Sequence, residues 1–143
     1  MKLVPARGGH GGVNMRIAAL DIGGTAIKSG IWNGKEMEAL KEWDTNASEG
    51  GSALMERAKF ILHTFGDFDA IGISTAGQVN TENGSIHYAN ENIPGYTGMP
   101  VKEILEREFR VPVAVENDVN AAALGEMYGG AAKRLSDFLC LTY

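Results

Sequence analysis

Between Ile17 and Trp43 the chain reverses direction twice within a few residues each time, and this limits the folds open to it. Ile17 to Ile22 is a short, mostly apolar strand whose end carries Asp21-Ile-Gly-Gly-Thr25. Ile27 to Trp32 is a second strand, with Ile27, Ser29 and Ile31 on one face. Asn33-Gly34 is a strong hairpin signal, because both residues tolerate positive φ, and Glu36 to Trp43 returns as a third strand. Strands joined by turns this tight pair antiparallel. Beyond them the pattern alternates. After a polar loop over Thr45 to Gly51, Ser52 is a candidate N-cap for a helix with Leu54, Ala58, Ile61, Leu62 and Phe65 on one side. Asp69 to Thr75 reads as a buried strand, Thr75 to Val79 as a loop, and Asn83-Gly84 as a tight turn. Pro94-Gly95 marks a further loop. Pro100 opens a helix lined by Val101, Ile104, Leu105 and Phe109, and Pro112 to Val115 is a short strand. Asn117 to Met127 is a helix whose Ala121, Ala122, Ala123 and Gly125 permit close packing, and Phe138 to Tyr143 is a last strand. The order β-β-β-α-β-α-β-α, with that strand after it, predicts an α/β fold with one mixed sheet and helices packed against it.

Composition narrows the function classes. Lys and Arg number 13 against 18 Asp and Glu, a formal charge of −5, which argues against nucleic acid or an anionic membrane as partner. Cys140 is the one cysteine, so the chain holds neither an internal disulfide nor a multi-cysteine zinc site. No apolar run approaches the roughly 18 residues of a membrane span. Residues 1–14, with four glycines and little apolar content, stand apart from the periodic pattern that starts at Met15. They read as a leader or tag outside the fold. His63 and His87 read as surface residues, Glu103 and Arg107 as a helical ion pair, and Trp32 and Trp43 as packing across the first hairpin.

Three strand ends carry residues suited to chemistry. At the first, Gly23 and Gly24 let the backbone approach a phosphate, Thr25 adds a hydroxyl donor, and Asp21 can hold Mg²⁺ through water. The same residues suit a plain turn with a solvated Asp. The segment is neither a Walker A loop nor a Rossmann fingerprint. At the second, Glu116-Asn117-Asp118 marks a strand-to-helix junction. There Asp118 can accept a proton from an alcohol and Asn117 can bond a polyol, or both can act as helix caps. At the third, Ser74-Thr-Ala-Gly77-Gln-Val79 leaves room for a ligand against the backbone. In open α/β sheets ligands gather beyond the carboxyl ends of strands, so the three ends form one coherent cleft.

Four segments in order carry a resemblance. They are Asp21-Ile-Gly-Gly-Thr25-Ala-Ile-Lys28, Ser74 to Asn80, Ala89-Asn-Glu-Asn92-Ile-Pro-Gly-Tyr96, and Pro112-Val-Ala-Val-Glu-Asn-Asp118-Val-Asn-Ala-Ala-Ala-Leu-Gly-Glu126. Together they resemble the N-terminal lobe of the ROK family (repressors, open reading frames and sugar kinases), with its DIGGTxxK, [ST]PGxVD, AxN[LI]PG[WY] and PVxVENDxNAAALxE patterns. The resemblance implies an actin-like, ribonuclease H-like lobe over 15–134, with 135–143 as the start of a truncated second lobe. It implies a glucokinase-like or β-glucoside-kinase-like, cytoplasmic enzyme of carbohydrate metabolism that transfers the γ-phosphate of Mg·ATP to a sugar hydroxyl. Asp118 matches the catalytic base, and Asn117, Gly77 and Asn92 match the substrate-binding set. Gly23, Gly24, Thr25 and Lys28 match the ATP-phosphate loop, with Asp21 near the metal.

Two positions depart from the pattern: Ala76 stands where the family has Pro, which should loosen the sugar loop, and Asn80 stands for Asp. In the family a second phosphate loop, sugar-binding Glu and His residues and a Cys₃His zinc site follow the segment that ends here at Tyr143, so the chain alone is expected to be inactive and to lack the zinc site. The family also implies a homodimer at full length, and the uncharged 135–143 segment suggests association of the chain through an exposed edge. A ROK transcriptional repressor and a non-catalytic sugar-binding domain are the alternative readings.

Overall fold

The computed structural model describes residues 15–118. The leader expected at 1–14, the helix expected to run on to Met127 beyond Asp118, and the tail strand with Cys140 lie outside them.

β1 (Ile17–Ile22) spans the residues its apolar run predicts, and five of its six side chains are buried. β2 (Ala26–Trp32) and β3 (Met37–Asp44) follow, each antiparallel to the strand before it. α1 (Gly51–His63) leads to β4 (Ala70–Thr75), which lies parallel to β1. A small hairpin of β5 (Gln78–Asn80) and β6 (Ser85–Tyr88) comes next. α2 (Val101–Phe109) then leads to β7 (Val113–Asn117), parallel to β4. The main sheet runs β3-β2-β1-β4-β7 and is mixed, as expected.

Strand alternation divides the sheet into two faces. Leu20, Ile22, Ile27, Ile73 and Val115 join Leu54, Ala58, Ile61 and Leu62 of α1 and Val101 and Leu105 of α2 in one core. Ile17, Ala19 and Ala70 form a second cluster on the other side, with Trp32 and Met37 beside them. Ile73 is fully buried in the middle strand of the parallel set. Ile73→Ala should cost about 2–5 kcal/mol and loosen the platform under the strand ends.

Four local expectations are corrected. β5 and β6 form a hairpin about the Asn83-Gly84 turn, where the sequence suggested only loop and turn. α1 begins one residue before Ser52; Gly50 sits at the cap, no side chain caps the helix, and the Gly51 amide donates to Pro94 O at 2.7 Å. A Cβ on Gly51 would lie 2.9 Å from Tyr96 Cα, so a glycine there lets the helix end dock against the 94–96 loop. Trp32 and Trp43 belong to opposite faces, so they do not pack on each other. Trp43 instead donates its indole N–H to Ser29 Oγ at 2.9 Å. Asn117 is the last residue of β7 rather than the first of a helix.

Among the described residues no helix is long and apolar enough to cross a membrane. The helical pair Glu103–Arg107 is present, and His63 bonds Glu108 at 2.8 Å across α1 and α2.

Candidate active site

The register of the parallel strands brings the three strand ends together. Asp21, Ser74 and Glu116 stand in one row across β1, β4 and β7; Ile22, Thr75 and Asn117 form the next, and Asp118 follows. Burial raises the Asp21 carboxyl above its ordinary value. Lys28, its cross-strand neighbour on β2, and the Ser74 hydroxyl oppose that rise, and the nearby Asp118 carboxylate adds to it. Ser74 Oγ is fully buried and meets no partner at hydrogen-bond geometry, although it lies near enough to Asp21 to favour the ionised form.

The Gly23-Gly24-Thr25 turn between β1 and β2 is tightly built. Gly23 N donates to Ala26 O at 2.9 Å and closes it. Thr45, fully buried just past β3, braces it twice: its Oγ1 donates to Gly23 O at 2.8 Å and its amide to Thr25 O at 2.9 Å. Arg57 of α1 in turn donates to Thr45 O at 2.9 Å. Gly24 and Thr25 are exposed, and a Cβ at Gly24 would meet nothing within 4 Å. From the sequence Thr45 reads as part of a polar loop, with no sign of this brace. A buried hydroxyl shows its partner only through tertiary structure.

The second turn joins β4 to β5. Gly77 has φ +99°, and a Cβ there would lie 2.9 Å from Tyr88 O, so both backbone and space demand glycine. Asn117 Nδ2 donates to Gly77 O at 3.0 Å. Ala76, expected to loosen this turn, donates its amide to Ile22 O at 3.1 Å, a bond that proline could not make. The missing ring is thus offset by one more rung between β1 and β4.

The loop from Ala89 to Met99 lies beside this turn. Asn92 is exposed on it, with its amide bonded to Asn90 Oδ1 at 3.0 Å; no hydrogen bond ties it to Gly77, Asn117 or Asp118. Tyr96, in contrast, is fully buried, and its hydroxyl bonds Thr75 Oγ1 at 2.8 Å. Burial pushes the Tyr96 hydroxyl up to about 12.

These donors suit Mg·ATP. Mg²⁺ keeps several waters and takes one or two carboxylates while bridging phosphates, and the half-buried Asp21 carboxylate stands beside an open glycine turn with an exposed hydroxyl.

A hairpin leading into parallel strands, with glycine-bearing and carboxylate-bearing turns at their carboxyl ends, defines an actin-like ATPase lobe. The sequence model of the ROK family matches residues 17–143, and the chain belongs to that family. It is 40% identical over 129 residues to a β-glucoside kinase of Listeria monocytogenes, an alignment covering 90% of this chain and 43% of that protein. A ROK hexokinase from Thermus thermophilus is 38% identical with a TM-score of 0.64, over 80% of this chain and 39% of that one. A ROK glucokinase from Streptomyces griseus, solved with glucose and AMPPNP, is 29% identical with a TM-score of 0.69, over 84% and 38%. The chain therefore spans about two fifths of the length of these relatives.

Proposed function

We propose that the chain supplies the N-terminal lobe of an ATP-dependent hexose kinase. The observation that carries the reading is the convergence of Asp21, Gly77, Asn117 and Asp118 at the carboxyl ends of three parallel strands, with Asn117 bonded to Gly77. Relatives named as β-glucoside kinase and glucokinase support the same chemistry.

Bound Mg·ATP supplies the transferable phosphoryl group together with a countercharge. Gly23 and Gly24 give the phosphates a close backbone approach, Thr25 adds a hydroxyl, and Lys28 adds a positive charge. Asp21 would hold Mg²⁺ through water, and the ion would supply countercharge to the phosphates. Gly77, Asn117 and Asn92 orient the sugar, and the Asp118 carboxylate takes the proton from the attacking hydroxyl. Positioning and charge stabilisation account for most of the rate. The activity belongs in the cytoplasm, where ATP is made.

The test is coupled ADP release by the full-length protein with Mg·ATP and a panel of hexoses, N-acyl hexosamines and β-glucosides. Turnover with at least one sugar and its loss in Asp118→Asn are the expected results. Sugar binding without nucleotide affinity would make the protein a non-catalytic sugar binder and overturn the reading.

A further inference from the structure

Four contacts converge on the turn that carries Gly77. Ala76 is tied to Ile22 O, Gly77 O to Asn117, and Tyr88 O packs over Gly77 where a Cβ would lie 2.9 Å from it. The fourth comes from outside the sheet: the Tyr96 hydroxyl meets Thr75 Oγ1, and Thr75 Oγ1 donates to Ala76 O at 3.2 Å. With Thr75 donating to Ala76, Tyr96 is the donor to Thr75. The result is a short relay from the Tyr96 ring to the peptide joining Ala76 to Gly77.

The ring end of that relay is fixed. Tyr96 is fully buried in the main core. Its loop is pinned by Gly51 N to Pro94 O at 2.7 Å, Tyr96 N to Ile93 O at 3.2 Å and Met99 N to Tyr96 O at 3.0 Å. Its hydroxyl is therefore a fixed post for the neighbouring turn. The same loop carries Asn92 on its exposed side. One residue thus joins the two segments that the proposed reading puts around the sugar.

We propose that Tyr96 is a positioning residue for sugar binding: through Thr75 it holds the Ala76-Gly77 turn in the conformation that receives the sugar. The proposal rests on the kinase reading, and its effect falls on the sugar side alone. Removing the hydroxyl leaves the ring and its packing intact. What is lost is one buried hydrogen bond and the fixed angle of the turn.

The experiment uses the full-length protein and compares wild type, Tyr96→Phe, Thr75→Val, Thr75→Ser and the Phe/Val double variant. Calorimetric titration with the preferred sugar reads binding without turnover, and steady-state kinetics separate KM from kcat. Tyr96→Phe and Thr75→Val should each raise the sugar Kd about five-fold or more, with kcat and the ATP KM close to wild type. The double variant should be no weaker than Thr75→Val alone, because losing the Thr75 hydroxyl already breaks the relay from Tyr96. Thr75→Ser keeps the hydroxyl and should bind sugar as wild type does. An unchanged sugar Kd in Tyr96→Phe overturns the proposal, and so do equal losses for sugar and ATP. A wild-type protein that binds no sugar overturns the kinase reading instead, which keeps the two failures distinct.

Discussion

Asn117 at the end of β7 donates its side-chain amide to Gly77 O at 3.0 Å, joining two turns 40 positions apart in sequence. The bond uses the Nδ2 end of the Asn117 amide. It also fixes the carbonyl of a residue whose φ of +99° already restricts it. Asn117→Ala should release that carbonyl and raise the sugar KM about ten-fold, with little change in the ATP KM. Parallel kinetic titrations in each substrate check this, and equal changes in both would contradict it.

Asp118 follows directly on Asn117 and lies close enough to Asp21 for the two carboxylates to repel. In the proposed mechanism its neutral isostere cannot take the hydroxyl proton. Asp118→Asn should lower kcat about 10²–10⁴-fold and leave sugar binding measurable by calorimetry. Full retention of turnover would remove Asp118 from the role of base.

Thr45 should show its importance on the nucleotide side. Thr45→Val keeps the shape and removes the hydroxyl that bonds Gly23 O, leaving a carbonyl without its partner in the glycine turn. That loss costs about 1–3 kcal/mol. The ATP KM should rise while the sugar Kd stays near wild type. A rise in the sugar Kd alone would be the contrary result.

Asp21 makes a prediction about pH. Its folded carboxyl is raised above the ordinary 3.8, chiefly by burial. A raised acid contributes stability that is present below the unfolded value and lost as pH climbs through the folded value. At neutral pH the ionised group is therefore a net cost to the fold. Asp21→Asn should unfold at higher urea than wild type at pH 7, and the gain should disappear below about pH 4. A gain of equal size at both values would rule out the carboxyl as its source.

Gly77→Ala adds a Cβ at φ +99° and 2.9 Å from Tyr88 O. The strained backbone alone costs about 1–3 kcal/mol. A lower unfolding midpoint together with weaker sugar binding is the expected outcome, read by thermal melting and titration of the same preparation.

Much of the scaffold is legible in the sequence, for identifiable reasons. β1 could be bounded to the residue because a continuous apolar run meets the Gly-Gly turn, and the Asn33-Gly34 hairpin because its chemistry is local. The helix faces follow from spacing. What escaped depends on distant partners. Gln78-Val79-Asn80 is too short and polar to read as a strand until Ser85 to Tyr88 pairs with it. The start of α1 is set by a carbonyl of Pro94, not by the hydroxyl of Ser52. The candidate residues Asp21, Gly77, Asn117 and Asp118, which the register brings to one end of the sheet, could be picked from motifs. Thr45, Thr75 and Tyr96 act through buried hydroxyls, and only the folded register pairs those.

The Ala76-to-Ile22 bond has one more consequence. Ile22 O and Gly23 N belong to a single planar peptide unit. Its oxygen accepts from Ala76 at 3.1 Å, and its N–H donates to Ala26 O at 2.9 Å. The Ala76-Gly77 turn and the Gly23-Gly24 turn are therefore hinged on opposite edges of one rigid plate. Side-chain changes can loosen either flap, but the offset between the two turns is referred to the covalent geometry of that peptide, which no substitution in the core can stretch.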